Sequence, residues 1–261
     1  VKLNLKPVPQ LPPDDLAVLA AIPIVPSDSP LYPLSLAPEK ILVRSAYHAA
    51  QMDDALPECY AREEVQQRLF TAAGMLPSDL RLVILDGWRS TALQRALFDQ
   101  CRRYYYSLHP EADETVIHTL ASKFVAVPSA DPQAPSPHLT GGAIDLTLAD
   151  RSGRPLFFGA KFDFAGEISW TRHFENAREA GEELSAREEE ALHNRRLLYH
   201  VMVAAGFANY DHEWWHFEYG TQRWARICGK DKAFYGPVHL TLQSFEIPMG
   251  KECNSTPRVG E

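Results

Sequence analysis

Two stretches of this chain combine side chains that could hold a metal ion and activate water. The first is Ser136-Pro137-His138-Leu139-Thr140-Gly141-Gly142-Ala143-Ile144-Asp145. A histidine leaves a proline-rich loop, two glycines let the backbone turn, and an aspartate follows inside an apolar run. An ionised carboxylate between Ile144 and Leu146 is costly unless it is paired or bound to a metal. His138 and Asp145 together would offer two of the three protein ligands of an open zinc site; the alternative is a loop histidine beside an aspartate that caps a turn. The second stretch is His212-Glu213-Trp214-Trp215-His216. It matches H-E-x-x-H, in which two histidines one helical turn apart bind zinc and the glutamate is the base. Yet the surroundings, ANYDHEWWHFEYG between Gly206 and Gly220, are dense in aromatic residues and read as a strand. On a strand His212 and His216 share a face while Glu213 points the other way, so a twist or bulge would have to bring Glu213 to His216. An aromatic core strand with surface His and Glu is the alternative. A third element, Asp86-Gly87-Trp88-Arg89-Ser90, lies where an apolar run opens into a helix. Arg89 could steady charge developing on a carbonyl oxygen, or form a structural ion pair.

The elements that must position these groups follow from periodicity. Residues 61–76 read as an amphipathic helix with Val65, Leu69 and Ala72 on one face; 81–86 (RLVILD) as a buried strand; and 90–108 as a helix capped by Ser90. Residues 131–137, with three prolines, form a loop, and 143–148 (AIDLTL) alternate like a half-buried strand. Residues 174–206 read as one long charged helix ended by Gly206, with Glu175, Arg178, Glu179, Glu182, Glu183 and Arg187 on a solvated face. Residues 207–219 read as a strand. Nine of the twenty prolines precede residue 40, so 6–38 should be extended chain laid over a domain surface. Helices and strands are interspersed without steady β-α alternation or a glycine fingerprint, which predicts a single α+β domain.

Composition excludes other classes. Of 261 residues 45% are hydrophobic and 23% charged, the profile of a globular protein. A formal charge of −8 argues against nucleic acid as the partner. No apolar run approaches the roughly 18 to 20 residues of a membrane span. Four widely spaced cysteines (Cys59, Cys101, Cys228, Cys253) suit either two disulfides or four thiols, and the chain begins Val1-Lys2. A processed, exported form therefore stays open, and the compartment, cytoplasmic or periplasmic, is undecided. Oligomeric state is not legible.

In this order the segments resemble the D-alanyl-D-alanine dipeptidases of the vancomycin-resistance (VanX-like) type, zinc peptidases related to the peptidoglycan D,D-carboxypeptidases. The family's S-x-H-x-x-G-x-A-x-D appears as Ser136, His138, Gly141, Ala143 and Asp145, its E-x-W-H as Glu213, Trp215 and His216, and its aromatic-Arg pair as Trp88-Arg89. Residues 159–164 resemble its G-x-x-F-D element, and 194–197 its helix before the last strand. The resemblance runs from about residue 41 to 219. It implies a small, mainly antiparallel sheet flanked by helices, with one Zn²⁺ per chain on the sheet. His138, Asp145 and His216 would be its ligands, Glu213 the general base, and Arg89 the group that stabilises the oxyanion. His212 is then incidental to the metal. Ser136, Asp163, Tyr47 and Tyr60 would contact the substrate, a small D,D-dipeptide. The domain plan is a proline-rich segment (1–40) packed on a catalytic domain (41–220), followed by a C-terminal extension (221–261). Removal of terminal D-Ala from longer cell-wall peptides is the close alternative. A catalytically inactive metal-containing binding module, and a zincin endopeptidase using His212, His216 and a distant carboxylate such as Glu246, are the others.

Overall fold

A computed structural model describes residues 5–13, 15–122 and 124–241. Its centre is a five-stranded sheet of β2 (Ile41–Val43), β4 (Leu80–Asp86), β5 (Ala143–Asp150), β6 (Ala208–Asn209) and β7 (His216–Glu218), in the order β2-β4-β5-β7-β6. Only β2 and β4 run parallel; the other pairs are antiparallel. A separate two-stranded ribbon joins β1 (Leu31–Pro33) to β3 (Tyr60–Arg62). The helices are α1 (Leu16–Ala20), α2 (Ala46–Ala49), α3 (Glu63–Met75), α4 (Thr91–Leu108), α5 (Glu114–Ala121), α6 (His173–Glu179), α7 (Ala186–Ala204) and α8 (Gln222–Ile227). The architecture is the expected α+β, a small mixed and mostly antiparallel sheet flanked by helices.

Helix α3 forms where its apolar stripe predicts, burying Val65, Leu69, Ala72 and Ala73. Glu63 and Glu64 in its first turn suit the positive end of the helix dipole. Ser90 caps α4 by accepting from Leu93 N at 3.0 Å. Together α3 and α7 cover one face of the sheet, where Ile144, Leu146 and Leu148 of β5 meet Leu82 and Ile84 of β4 in the main core. Strand β5 was expected to be half buried. It is instead buried along nearly its whole length, because the opposite face, carrying Asp145 and Thr147, is covered as well.

Two further expectations are corrected. Residues 174–206 do not make one helix: α6 ends near Gly181, whose φ of +84° an L side chain resists, and α7 restarts at Ser185. There Ser185 and Glu188 form a reciprocal capping box. Glu175 is not on a solvated face. It is buried, accepting from Val8 N at 2.9 Å and from Arg196 at 2.7 and 2.6 Å. The anchored Val8 ties down the proline-rich amino-terminal chain, which crosses the surface mostly as irregular structure with α1 and β1 inside it. Beyond Gly220, α8 brings Trp224 into a second apolar cluster and Tyr235 joins the main core. Cys59, Cys101 and Cys228 are free thiols; Cys253 lies outside the described residues. Among the described residues no helix is long and apolar enough to cross a membrane.

Candidate metal centre

Three strands and one turn converge on the covered face of the sheet. Register places Asp86, Asp145 and His216 opposite one another across β4, β5 and β7. His138 enters from a turn of 3₁₀ helix at Pro137–Thr140, which Gly141 ends at φ +71°. Arg62 fixes that turn, its Nε donating to Thr140 O at 2.8 Å. Gly87 provides a second close approach: a Cβ there would lie 2.5 Å from Tyr60 O.

His138, Asp145 and His216 are all buried, and their ligand atoms lie within 4.8 Å of one another. His138 Nε2 is 3.3 Å from His216 Nδ1 and 3.4 Å from Asp145 Oδ2; His216 Nδ1 is 3.0 Å from Asp145 Oδ1. A tetrahedral metal with bonds of about 2.0–2.1 Å spaces its ligand atoms about 3.3–3.4 Å apart, a spacing that the two imidazole nitrogens match, while the carboxylate meets each ring through a different oxygen. The outer ring nitrogens assign the protons. His138 Nδ1 lies 2.7 Å from Gly87 O, which can only accept, so Nδ1 carries the hydrogen and Nε2 a lone pair. His216 Nε2 lies 3.0 Å from Oε1 of the fully buried Glu218, which leaves Nδ1 of the neutral ring as a lone pair. With both rings neutral, two lone pairs and a carboxylate face one another, an arrangement that a cation stabilises. Without a cation the same carboxylates hold a proton there instead: burial opposes charge on His216, but Asp145 and Glu218 hold its pKa up at about 10, with Nδ1 3.0 Å from Asp145 Oδ1, so a metal would bind by displacing that proton. Burial would raise the Asp145 carboxyl, and His138 and His216 hold it well below its ordinary range.

The segment 212–216 is neither the zincin helix nor a continuous strand. Residues 210–215 form a tight loop between β6 and β7. Asn209 clamps it, donating from Nδ2 to Glu213 O at 3.1 Å and to His216 O at 2.9 Å. The loop supplies the bend that strand geometry demanded, bringing Glu213 Oε2 to 3.7 Å from His216 Nδ1. Desolvation, with Asp145 and Asp163 nearby, raises the Glu213 carboxyl to about 7 against the pull of His216. His212 stands apart from the triad, its ring 5.0 Å from that of Trp170. Glu246, the other zincin candidate, lies outside the described residues.

Arg89 is buried beside the triad. Its Nη2 is 2.7 Å from Asp86 Oδ2, 3.4 Å from Asp145 Oδ2 and 3.4 Å from the Tyr47 hydroxyl, while Nη1 donates to Gln94 Oε1 at 2.8 Å. The triad, Arg89 and Glu213 open into a cavity of about 780 Å³ whose lining includes Tyr47, Ser136 and Asp163. Asp163 is exposed into this space in the left-handed region at φ +61°. Desolvation, with Asp145 and Asp86 adding to it, raises the Asp163 carboxyl although Arg89 pulls it down. Ser136 Oγ is already engaged, accepting from Ser129 N at 2.9 Å and donating to Val127 O at 3.3 Å. Tyr60 is not brought to the site. It lies on β3 outside the cavity lining, and what it contributes is its carbonyl, which accepts from Trp88 N at 2.6 Å. Sequence reasoning missed Glu218, Asn209 and the place of Asp86. Glu218 was findable, since positions i and i+2 of a strand share a face with His216; Asn209 carried no signal.

Residues 50–232 match the model of peptidase family M15, described as D-ala-D-ala dipeptidase. The chain belongs to this family. It is 31% identical over 218 residues to the D-alanyl-D-alanine dipeptidase of Synechocystis sp., covering 78% of this chain and 87% of that one. To the D-alanyl-D-alanine dipeptidases of Escherichia coli and Enterococcus faecium it is 33% identical, over 54% and 52% of this chain and 56% and 60% of theirs. Family membership and the buried His-Asp-His cluster together support a metal-dependent peptidase of this M15 type.

Proposed function

We propose that this M15 peptidase is a zinc-dependent D,D-dipeptidase that hydrolyses D-alanyl-D-alanine to two D-alanines. His138, Asp145 and His216 would hold one zinc ion, a donor set of two imidazoles and one carboxylate that suits this metal. The observation that carries the reading is the pairing of this buried His-Asp-His cluster with a carboxylate, Glu213, 3.7 Å from His216 Nδ1; a purely structural metal site needs no such base.

Zinc, when bound, supplies positive charge that acidifies water and polarises the scissile carbonyl. Glu213 accepts the proton of the attacking water at Oε and passes it to the leaving amine. Arg89, held rigid by Asp86 and Gln94, turns Nη2 toward the oxygen on which negative charge develops. Asp163, open to the cavity beside Tyr47, receives the substrate's free ammonium. Ser136 lines the carboxylate end. The size of the cavity favours a second reading, a D,D-carboxypeptidase acting on longer peptides. Asp163 argues for the dipeptide, because a blocked amine leaves that carboxylate without its cation.

The test is release of D-alanine from D-Ala-D-Ala by zinc-loaded protein, with the N-acetylated dipeptide and a Glu213→Ala variant alongside. Acetylation should cost about 10- to 150-fold, the worth of a hydrogen bond to a charged group. Glu213→Ala should lose about 10²- to 10⁴-fold in kcat while still binding zinc. Absence of turnover in folded, metal-loaded protein refutes the dipeptidase.

A further inference from the structure

The cavity is too large and too apolar for two alanines alone. Granting each non-hydrogen atom the volume of a whole water, about 30 Å³, the roughly eleven atoms of D-Ala-D-Ala take about 330 Å³. That is less than half of the 780 Å³ present. The polar groups that could orient a dipeptide cluster around the triad, and the remaining wall is different in kind. One side comes from the amino-terminal segment, through Leu16, Leu19 and Ile24; another comes from Leu97 on α4 and from Val125 and Val127 beyond α5. These six side chains carry no donor or acceptor, and together they offer what an apolar side chain of a ligand requires.

The amino-terminal part of the wall is built in place. Asp15 caps α1, accepting from Ala17 N at 3.0 Å. The chain after α1 bridges to the carboxyl-terminal strip, with Val25 N donating to Ala233 O at 2.9 Å. Gln222 of α8 fastens the rim, its Nε2 donating to Ile22 O and to Gln133 O, both at 2.8 Å. One side chain thereby ties the segment to the proline-rich loop that leads to Ser136 and His138. Leu19 and Ile24 are buried, whereas Leu16 is 71% exposed, an apolar surface at the mouth that a ligand would cover. The segment also precedes residue 50, where the match to the M15 family begins.

We propose that Leu16, Leu19 and Ile24 belong to the substrate site and, with Leu97, Val125 and Val127, form a subsite for one bulky apolar side chain of a D,D-dipeptide. This inference rests on the dipeptidase reading and specifies its substrate class: a dipeptide with a small residue in one position and a leucine- or phenylalanine-like residue in the other.

The experiment compares kcat/KM of the zinc-loaded full chain on D-Ala-D-Ala, D-Ala-D-Leu, D-Leu-D-Ala, D-Ala-D-Phe and D-Phe-D-Ala. At least one bulky dipeptide should exceed D-Ala-D-Ala by about 10- to 200-fold, the discrimination an apolar pocket gains from added methylene groups. Leu16→Asp and Val127→Asp, both at exposed positions that tolerate charge in the folded protein, should each bring that ratio to near parity. The ratio is read within each variant, so a general loss of activity does not imitate the effect. D-Ala-D-Ala cleaved as well as or better than every bulky dipeptide overturns the subsite and leaves the dipeptidase standing. An undiminished ratio in Leu16→Asp removes the amino-terminal segment from the site. Cleavage of none of the five by folded, zinc-loaded protein overturns the dipeptidase reading and this inference with it.

Discussion

Glu218 should govern metal affinity without touching the metal. It is fully buried, and three donors converge on it: Oε1 takes His216 Nε2 at 3.0 Å and the Arg223 guanidinium, while Oε2 takes the Thr221 hydroxyl. Burial would raise its pKa, but Arg223 and His216 hold it low, so it is ionised at neutral pH. Glu218→Gln keeps the shape and an acceptor for the imidazole. Its new amide faces Thr221, whose hydroxyl can turn to accept. What is lost is a negative charge 3.0 Å behind Nε2, hence about 5 Å from Nδ1 across the ring. A unit charge at about 5 Å and an effective dielectric of about 20 is worth about 3 kcal/mol, the ceiling for the effect on a cation held at Nδ1. The amide dipole recovers part of this, and partners of this kind typically change metal affinity about 10- to 100-fold, or about 1.4–2.7 kcal/mol. Zinc competition against a chromogenic chelator measures the change, with circular dichroism to verify the fold. A dissociation constant within about threefold of the unmodified protein's, in a folded variant, would falsify the assignment of His216 Nδ1 as a ligand tuned through its ring.

Three other consequences can be measured directly. His212→Ala should leave zinc affinity unchanged, since His212 lies outside the triad; loss of zinc in that variant would revive the zincin arrangement. Arg195 is buried, no carboxylate among the described residues pairs with it, and it donates to the carbonyls of Phe158, Ile168 and Trp170 at 2.5–2.8 Å, closing the loop that carries Asp163. Arg195→Met should cost about 1–3 kcal/mol for each carbonyl left unpaired, read by urea unfolding, and should raise KM more than it lowers kcat. At Glu175 burial would raise the carboxyl, but Arg196 and Val8 N hold it below its ordinary value. Its contribution to stability is therefore present above the unfolded pKa of about 4.3 and is lost as pH falls through the lower folded value. Glu175→Gln should flatten the acid side of the melting-temperature profile, and an unchanged slope there would contradict the pairing.

The helices and central strands were legible because each satisfies a local rule. Val65, Leu69 and Ala72 recur at the helical period, Ser90 is a cap, and RLVILD is too apolar and too short for anything but a buried strand. His138, Asp145 and Glu213 stood out as chemistry because a polar group in apolar surroundings needs a reason. The misreadings have different causes, one a contact distant in sequence and two a local break that residue type does not announce. Glu175 looks solvated within its own helix, and only Val8, 167 residues away, together with Arg196 buries it. The break between α6 and α7 hides in a stretch of good helix formers, because Gly181 and Ser185 are each tolerable within a helix and decisive only together. The 212–216 segment matches the zincin helix motif literally, and its aromatic surroundings favour a strand, yet it is neither a helix nor a continuous strand. The clamp that makes it a loop, Asn209, is one unremarkable amide.

The least legible feature of the site is also the one that shows how the fold places it. Paired residues of neighbouring strands share a face, and Leu82 with Leu148 and Ile84 with Leu146 all point into the core. Regular pairing would continue with Asp86 opposite Ile144, sending a carboxylate into that same core. The register shifts between Ile84 and Asp86, so Asp86 faces Asp145 instead and its carboxylate turns to the side where Arg89 and His138 lie. The shift could not be read from RLVILD, because a bulge leaves the residue types of a strand unchanged. It is nevertheless tightly specified by energy: without it an aspartate is buried among leucines, and a slip of β5 by one residue would do the same to Asp145. The isoleucines and leucines that close the core therefore also aim the acids, and Arg89, fastened to Asp86, follows them to the cavity. In this sheet the positions of the polar residues are set by the apolar residues that alternate with them.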